Sequence, residues 1–269
     1  MDLKYRKIIA KIKPLHNIAK AVMYDSGAFY YRKRYLNCGY EEVFKRLHNS
    51  CNGKRCFIVG NGPSLAVSDL EKLTKEDCFA ANEIHKVFDK TTWRPKYYLI
   101  MDRYSKTTPE IISKLECENV FLGDYYCRFN SVERKDVICL HQHQDLSDKN
   151  FRFSHDISKR IYNSTTVSYG LMQIAAYLGY KEVYLLGFDH NYSFEFDEKG
   201  NVIKTDTSNA HFFKDEIPED IIANVYGMTR AYESFKQYAE KNGIKVMNAT
   251  RGGKLEVFQR VSFDDLMSI

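Results

Sequence analysis

Long apolar runs are missing from this chain of 269 residues. No stretch approaches the roughly 18 apolar residues that cross a bilayer, and the opening Met1-Asp2-Leu3-Lys4-Tyr5-Arg6-Lys7 lacks the apolar region of a signal peptide. Both absences lead to the expectation of a cytoplasmic protein. Paired cysteine spacing is missing as well. The seven cysteines, Cys38, Cys51, Cys56, Cys78, Cys117, Cys127 and Cys139, are odd in number and contain no C-x-x-C. This argues against a zinc site or a disulfide framework and reads as free thiols in a reducing compartment. An Asp-x-Asp motif is absent, Glu195-Phe-Asp197 being the nearest approach, so no metal is expected. His141 and His143 stand two apart with no third ligand in view and read as structural or surface residues. Nucleic-acid recognition motifs, internal repeats and low-complexity segments are not found, and past residue 50 the charge balance is slightly acidic.

What is present begins with enough apolar material, 44% of residues, for one substantial core. The net charge of +5 is unevenly spread: residues 1–50 hold eleven Lys and Arg against four Asp and Glu, a net of +7. Interleaved Ile8, Ile9, Ile12, Leu15, Ile18, Ala19 and Val22 have near-helical spacing. A basic amphipathic helix there would lie either on an anionic membrane surface or against its own domain. The chain is therefore divided into a basic segment, 1–50, and a domain over 51–269.

The most informative run is Cys56-Phe57-Ile58-Val59-Gly60-Asn61-Gly62-Pro63-Ser64-Leu65. It reads as a buried strand joined to a helix start through a glycine turn, the junction at which α/β proteins hold phosphate. Gly60 and Gly62 allow close approach or positive φ, Pro63 suits a first helical turn, and Asn61 or Ser64 would bond free amides. The third glycine of G-x-G-x-x-G and the Gly-Lys-Ser/Thr of a P-loop are both absent, so neither a dinucleotide nor a Walker-type ATP site is indicated. A tight turn without ligand is the competing reading.

Apolar runs at 57–60, 78–81, 97–101, 120–123, 137–140, 183–187 and 244–247 read as strands, and helical patterns fill 65–73, 109–115, 167–178 and 221–241. Alternating strands and helices predict a Rossmann-like, mostly parallel sheet with helices on both faces. Ligands of such sheets lie beyond the strand carboxyl ends. That rule selects Asn61, Asn82, Asp102, Asp189 and Asn248. The polar, aromatic stretch 190–218 reads as a lid over the crevice. Thr165, Thr166 and Ser168, at the head of the 167–178 helix, would either donate to an anion or cap the helix. Arg251 would pair with a carboxylate or phosphate.

Phe57-Ile-Val-Gly-Asn-Gly-Pro-Ser-Leu65, Asn82 and Leu178-Gly-Tyr-Lys-Glu-Val-Tyr-Leu-Leu-Gly-Phe-Asp189 resemble the bacterial sialyltransferases of glycosyltransferase family 42. The chain also resembles the related domain of MptE-like pterin diphosphokinases and motility accessory factors, more closely at Arg94-Pro-Lys-Tyr-Tyr-Leu-Ile-Met-Asp102 and Asn248-Ala-Thr-Arg-Gly-Gly253. Together these likenesses cover about residues 55–253. They imply a GT-A-like sialyltransferase variant of the sheet and an inverting, metal-independent transfer, without cofactor, from a CMP-linked sialic or related nonulosonic acid. The acceptor would be a glycan or glycolipid of lipopolysaccharide or capsule. By the same resemblance Asn61, Gly62, Ser64 and Asn82 would hold the nucleotide; Pro63, Asp102, which stands where the family usually has asparagine, Thr165, Thr166 and Asp189 are read beside them as its further surroundings. Tyr192 would assist its departure, with Phe194 standing where a second tyrosine is usual. The base would be His211, Asp215 or His190, because the family's paired histidines are matched here by His211 and Asp215, and His190 and Arg251 would meet substrate. Two other readings stand beside this one: MptE-like pyrophosphoryl transfer from ATP to a pterin alcohol, and a non-catalytic nucleotide- or glycan-binding protein of polysaccharide assembly. Peripheral membrane contact and a homo-oligomer are both compatible with the sequence.

Overall fold

The computed structural model describes residues 22, 27–33, 35–102, 105–143, 151–163, 165–192, 194–196, 202–204 and 223–268. Helical residues 27–33 and 35–37 precede α1 (Tyr40–Leu47). The remaining order is β1 (Arg55–Val59), α2 (Val67–Lys72), β2 (Cys78–Ala81), a 3-10 turn (Asn82–Val87), β3 (Tyr97–Ile100), α3 (Pro109–Ser113), β4 (Asn119–Gly123), α4 (Asp124–Cys127) and β5 (Ile138–Leu140). Then follow β6 (Gln142–His143), β7 (Ile161–Tyr162), α5 (Val167–Leu178), β8 (Glu182–Leu186), β9 (Phe194–Phe196), β10 (Val202–Lys204), α6 (Val225–Lys241), β11 (Lys245–Asn248), β12 (Gln259–Arg260) and α7 (Phe263–Met267).

The central sheet has eight strands in the order β12-β11-β8-β1-β2-β3-β4-β5, every neighbouring pair parallel. Its strands are short and their inner residues apolar because both faces are covered, with exposed polar residues confined to strand ends such as Arg55 and Lys245. Side chains alternate across it. Cys56 and Ile58 enter a core with Phe79, Tyr97, α5 and α6, while Phe57 and Val59 enter a second core with Trp93, Tyr98 and Phe263. All seven expected strands form, with ends shifted by a residue or two. The sequence reading passed over β12, whose two residues are too short to show a period.

Helix α5 forms over the expected residues. Thr166 caps it, its side chain accepting from the Ser168 amide, and Gly179 ends it at φ 90°. Helix α2, by contrast, starts at Val67 rather than Leu65. Pro63 and Ser64 lie in a turn, closed by Leu65 N–H donating to Gly62 O, and the helix start is satisfied by Asp69, whose carboxylate accepts from Ala66 N–H at 3.0 Å. The phosphate-ready helix end expected directly after Pro63 is therefore absent.

All seven cysteines are free. Burial pushes the Cys78 and Cys117 thiols up to about 12, which keeps them protonated and inert at neutral pH. Among the described residues no helix is long and apolar enough to cross a membrane.

Candidate functional site

The chain runs from β1 outward to β5 and then returns to place β8 on the other side of β1, so the strand order reverses between β1 and β8. Loops leaving two such strands diverge and open a crevice at their carboxyl ends. Here the two loops are tied across its floor. Gly60 N–H donates to Leu186 O at 2.7 Å, Gly62 N–H to Gly187 O at 2.9 Å, and Ser64 Oγ to Asp189 Oδ2 at 2.7 Å, with Ser64 N–H reaching Asp189 Oδ1 at 3.2 Å. A Cβ on Gly60 would collide with Gly187 O, and one on Gly62 would overlap the Asp189 carboxylate. Neither residue is at positive φ. Both are glycine because another loop passes too close for a side chain.

Asp189 is the hub of this arrangement. Its backbone oxygen accepts from Lys254 N–H at 2.7 Å, which brings in the loop after β11, and Gly253, at φ 74°, has no room for a Cβ against the Asp189 backbone. Burial pushes the Asp189 carboxyl up, while the Ser64 donors pull it back. Ser64 and Asp189 therefore spend their bonding capacity largely on each other and shape the crevice.

The walls hold polar atoms without partners. Asn61 Oδ1, Asn82 Oδ1 and Thr165 Oγ1 are buried and unbonded. Asn61 reaches toward β2, its Nδ2 lying 3.5 Å from Ala81 O, so the two asparagines stand side by side. Asn82 has φ 53° and Thr165 φ 38°, a left-handed conformation uncommon for residues with a Cβ and costly for threonine. Tyr98 and Thr107 both donate hydroxyl bonds to Asn82 O, the latter at 3.0 Å, and so hold the residue in this shape. Strain held in place beside unsatisfied acceptors is the pattern of a ligand site.

His190 follows Asp189 at φ 51°. Its Nε2 lies 2.8 Å from Thr229 Oγ1, and that hydroxyl already donates to Val225 O at 3.0 Å. Thr229 has one hydroxyl proton, so it accepts from His190; the imidazole carries its proton on Nε2 and its lone pair on Nδ1. Burial lowers the His190 pKa to about 4. It is neutral at pH 7 and a weak base, since a general base works best with a pKa near the working pH. Tyr232 packs on it with ring centroids 5.7 Å apart and Tyr192 with 6.2 Å. Gly227, against Thr165, carries the first turn of α6 into the same wall.

Other expected residues stand elsewhere. Asp102 is exposed at the end of β3. Asn248 is fully buried and locks its own loop, donating to Leu255 O at 2.9 Å and accepting from Thr250 N–H at 3.0 Å, so it does not project into the crevice. Arg251 is paired with Asp69 at 2.7 Å and Asp264 at 3.0 Å, with its guanidinium 5.4 Å from the Phe263 ring. Its charge is already matched, which leaves little for a substrate anion. His211, Asp215 and most of the 190–218 stretch lie outside the described residues; within that stretch β9 and β10 pair as an antiparallel hairpin. Among the described residues no three His, Cys, Asp or Glu side chains gather into a metal-binding group.

The sequence reading missed two strand ends. Asp124 follows β4 and His141 follows β5. The imidazole Nδ1 lies 2.7 Å from Asp124 Oδ2, and Asp124 Oδ1 accepts from Gln142 N–H at 3.0 Å. The strand-end rule that selected Asn82 and Asp102 would have found both, had it been extended by two strands.

A family model described as 6-hydroxymethylpterin diphosphokinase MptE-like matches residues 34–195, a span that contains β1 through β8 and the crevice floor. Among solved structures, the chain is similar to the Maf glycosyltransferase from Magnetospirillum magneticum AMB-1, with a TM-score of 0.48 and 16% identity. The similarity covers 81% of this chain and 35% of that protein, so this chain spans about a third of its length. No curated protein matches the chain. With more than half of its residues matched by that model, the chain belongs to the 6-hydroxymethylpterin diphosphokinase MptE-like family.

Proposed function

We propose that the crevice binds a nucleotide-activated sugar and that the chain transfers the sugar to a hydroxyl of a cell-surface glycan. The observation that carries this reading is the trio of buried, unpartnered acceptors, Asn61 Oδ1, Asn82 Oδ1 and Thr165 Oγ1, around a strand-order reversal. Such atoms cost about 1–3 kcal/mol each when left unbonded, and a ligand that donates to them recovers that cost. Base amino groups and ribose hydroxyls are donors of this kind. The side chains around the crevice are neutral or acidic, Asn61, Asn82, Thr165, Asp189 and His190, which favours a donor with few phosphate charges. A CMP-linked sialic or related nonulosonic acid meets that condition and agrees with the sialyltransferase resemblance of the Asn61 and Asp189 motifs.

The transfer would be a direct displacement, independent of metal. A base takes the acceptor hydroxyl proton, the oxygen bonds to the anomeric carbon, and the bond from that carbon to the phosphate oxygen breaks, its electron pair leaving with CMP. His211 or Asp215 supplies the base in this reading. His190 acts as a neutral hydrogen-bonding wall, because its pKa of about 4 makes it a poor proton acceptor.

The name of the matched family favours a second reading, pyrophosphoryl transfer from ATP to a pterin alcohol. That chemistry calls for Mg²⁺ and carboxylates to hold it, yet Asp189 is engaged by Ser64. A thermal-shift panel with CMP, CDP, UDP, GDP, ADP and ATP, with and without Mg²⁺, separates the two. Stabilisation by CMP alone, followed by acceptor-dependent CMP release from CMP-sialic acid, is the expected result. Preference for ATP with Mg²⁺ moves the assignment to the second reading, and no response to any nucleotide removes both.

A further inference from the structure

Residues 27–37 present two different faces. Gly27 and Tyr31, one helical turn apart, are buried, and Tyr35 packs partly behind them. The Gly27 backbone passes so close to Asp124 that a Cβ would lie 2.7 Å from its carboxylate, Tyr31 donates to Ser158 O at 2.5 Å, and the Tyr31 ring stacks on His141 with centroids 5.8 Å apart. That face is fixed to the domain. The opposite face carries Phe29, Arg32, Lys33 and Leu36, spaced i, i+3, i+4 and i+7, the positions that share one side of a helix. Phe29 is 79% exposed and Leu36 71%, and Val22, seven residues before Phe29, is 63% exposed. Arg32 and Lys33 are exposed between them.

Large apolar side chains held out to water at helical spacing, with cations between them, mark an interaction surface. The charge says what kind. Residues 1–50 carry a net of +7, so a second copy of this chain would bring like charge against like charge. Phe and Leu inserting at a headgroup boundary, with Arg and Lys pairing to lipid anions, satisfies both halves of the face. We infer that Phe29, Arg32, Lys33 and Leu36 form a docking face for an anionic lipid surface, held by the buried Gly27–Tyr31 side so that the rest of the domain sits on the membrane in one orientation. The surface stands independently of the donor and acceptor of any transfer reaction.

The test is co-sedimentation of the full chain with vesicles of phosphatidylcholine alone and of phosphatidylcholine with phosphatidylglycerol, compared with the variants Phe29→Ser with Leu36→Ser and Arg32→Gln with Lys33→Gln. All four positions are exposed, so the thermal melt of each variant should match the parent. The expected result is binding to the anionic vesicles only, weakening with added salt, with a loss of roughly fivefold for each neutralised cation and a loss of at least tenfold for the apolar pair. Absence of binding by the parent chain overturns the inference. So does unchanged binding by both variants, which would place the contact in residues 1–21. A concentration-dependent dimer that the Phe29→Ser, Leu36→Ser variant abolishes, without vesicle binding, assigns the face to a second copy and overturns it as well.

Discussion

At the scale of single residues, the site is framed by positive-φ backbone positions at Asn82, Thr165 and His190. Asn82, at φ 53°, is held by Tyr98 and Thr107 while its Oδ1 has no partner. Asn82→Gly relieves the backbone and removes the acceptor. The folded state is expected to hold its melting temperature or gain slightly, while nucleotide affinity falls roughly tenfold, about 1.4 kcal/mol. Parallel loss of stability and affinity would show that Asn82 serves the fold instead. His190 gives a pH signature. Burial depresses its folded-state pKa from 6.5 to about 4, so between those values the unfolded chain binds a proton that the folded chain does not. Its contribution is neutral above pH 6.5 and destabilises progressively as pH falls toward 4. Asn tolerates a left-handed φ, so His190→Asn should flatten the acid limb of a plot of melting temperature against pH. An identical limb in the variant would show that His190 is not the residue responsible.

At the scale of elements, the two loops that form the crevice floor are bonded over a long sequence separation; Ser64 and Asp189 are 125 positions apart. Gly62→Ala places a methyl group on the Asp189 carboxylate, and overpacking of this kind costs roughly 1–3 kcal/mol. A denaturant melt should show that loss together with weakened nucleotide binding, since the floor shifts with the loop; unchanged stability would mean the loops separate freely. Helix α5 is tied to its neighbours by a similar device. Gln173 is fully buried, accepting from Ser154 N–H at 3.1 Å and Tyr162 N–H at 2.9 Å and donating to Tyr162 O at 2.9 Å and Tyr169 O at 3.0 Å. Gln173→Leu strands the Ser154 and Tyr162 backbone groups, at roughly 1–3 kcal/mol for each. A lowered urea midpoint of that size is expected, and a melt matching the parent would mean the segment re-pairs elsewhere. In the sequence Gln173 is one polar residue in an apolar helical run, and Ser154 and Tyr162, its partners outside the helix, come from segments whose neighbourhood no local pattern announces.

At the scale of the whole molecule, the basic N-terminal part is divided in its loyalties. Tyr31, Tyr40, Phe44 and Leu47 lie in the core, and burying such side chains is worth roughly 1.5–3 kcal/mol each against a typical net stability of 5–15 kcal/mol. A chain that begins at Ser50 should lose its cooperative thermal melt, whereas one that begins at Val22 should keep it; a cooperative melt in the shorter chain would show that the segment is dispensable. A deletion that removes residues 29–36 also removes Tyr31 from the core, so membrane contact is probed by point variants of the exposed face rather than by truncation.

The sequence by itself determined the layered α/β architecture. Seven short apolar runs alternating with helical periods have one good solution, a parallel sheet covered on both faces, because that arrangement alone buries every side of each run. It also pointed to the strand ends where Asn61, Asn82 and Asp189 stand, since the end of an apolar run is a local property. Tertiary structure decided the rest. The expected helix start at Pro63 gave way to a turn because Ser64 bonds Asp189, and Gly60 and Gly62 proved to be glycines of loop contact rather than of positive φ. Asn248 and Arg251 were drawn into local partnerships with Leu255, Asp69 and Asp264. Each outcome depends on which residues meet across more than a strand, and that is fixed by the order of strands in the sheet, a choice that the period of any one segment does not encode.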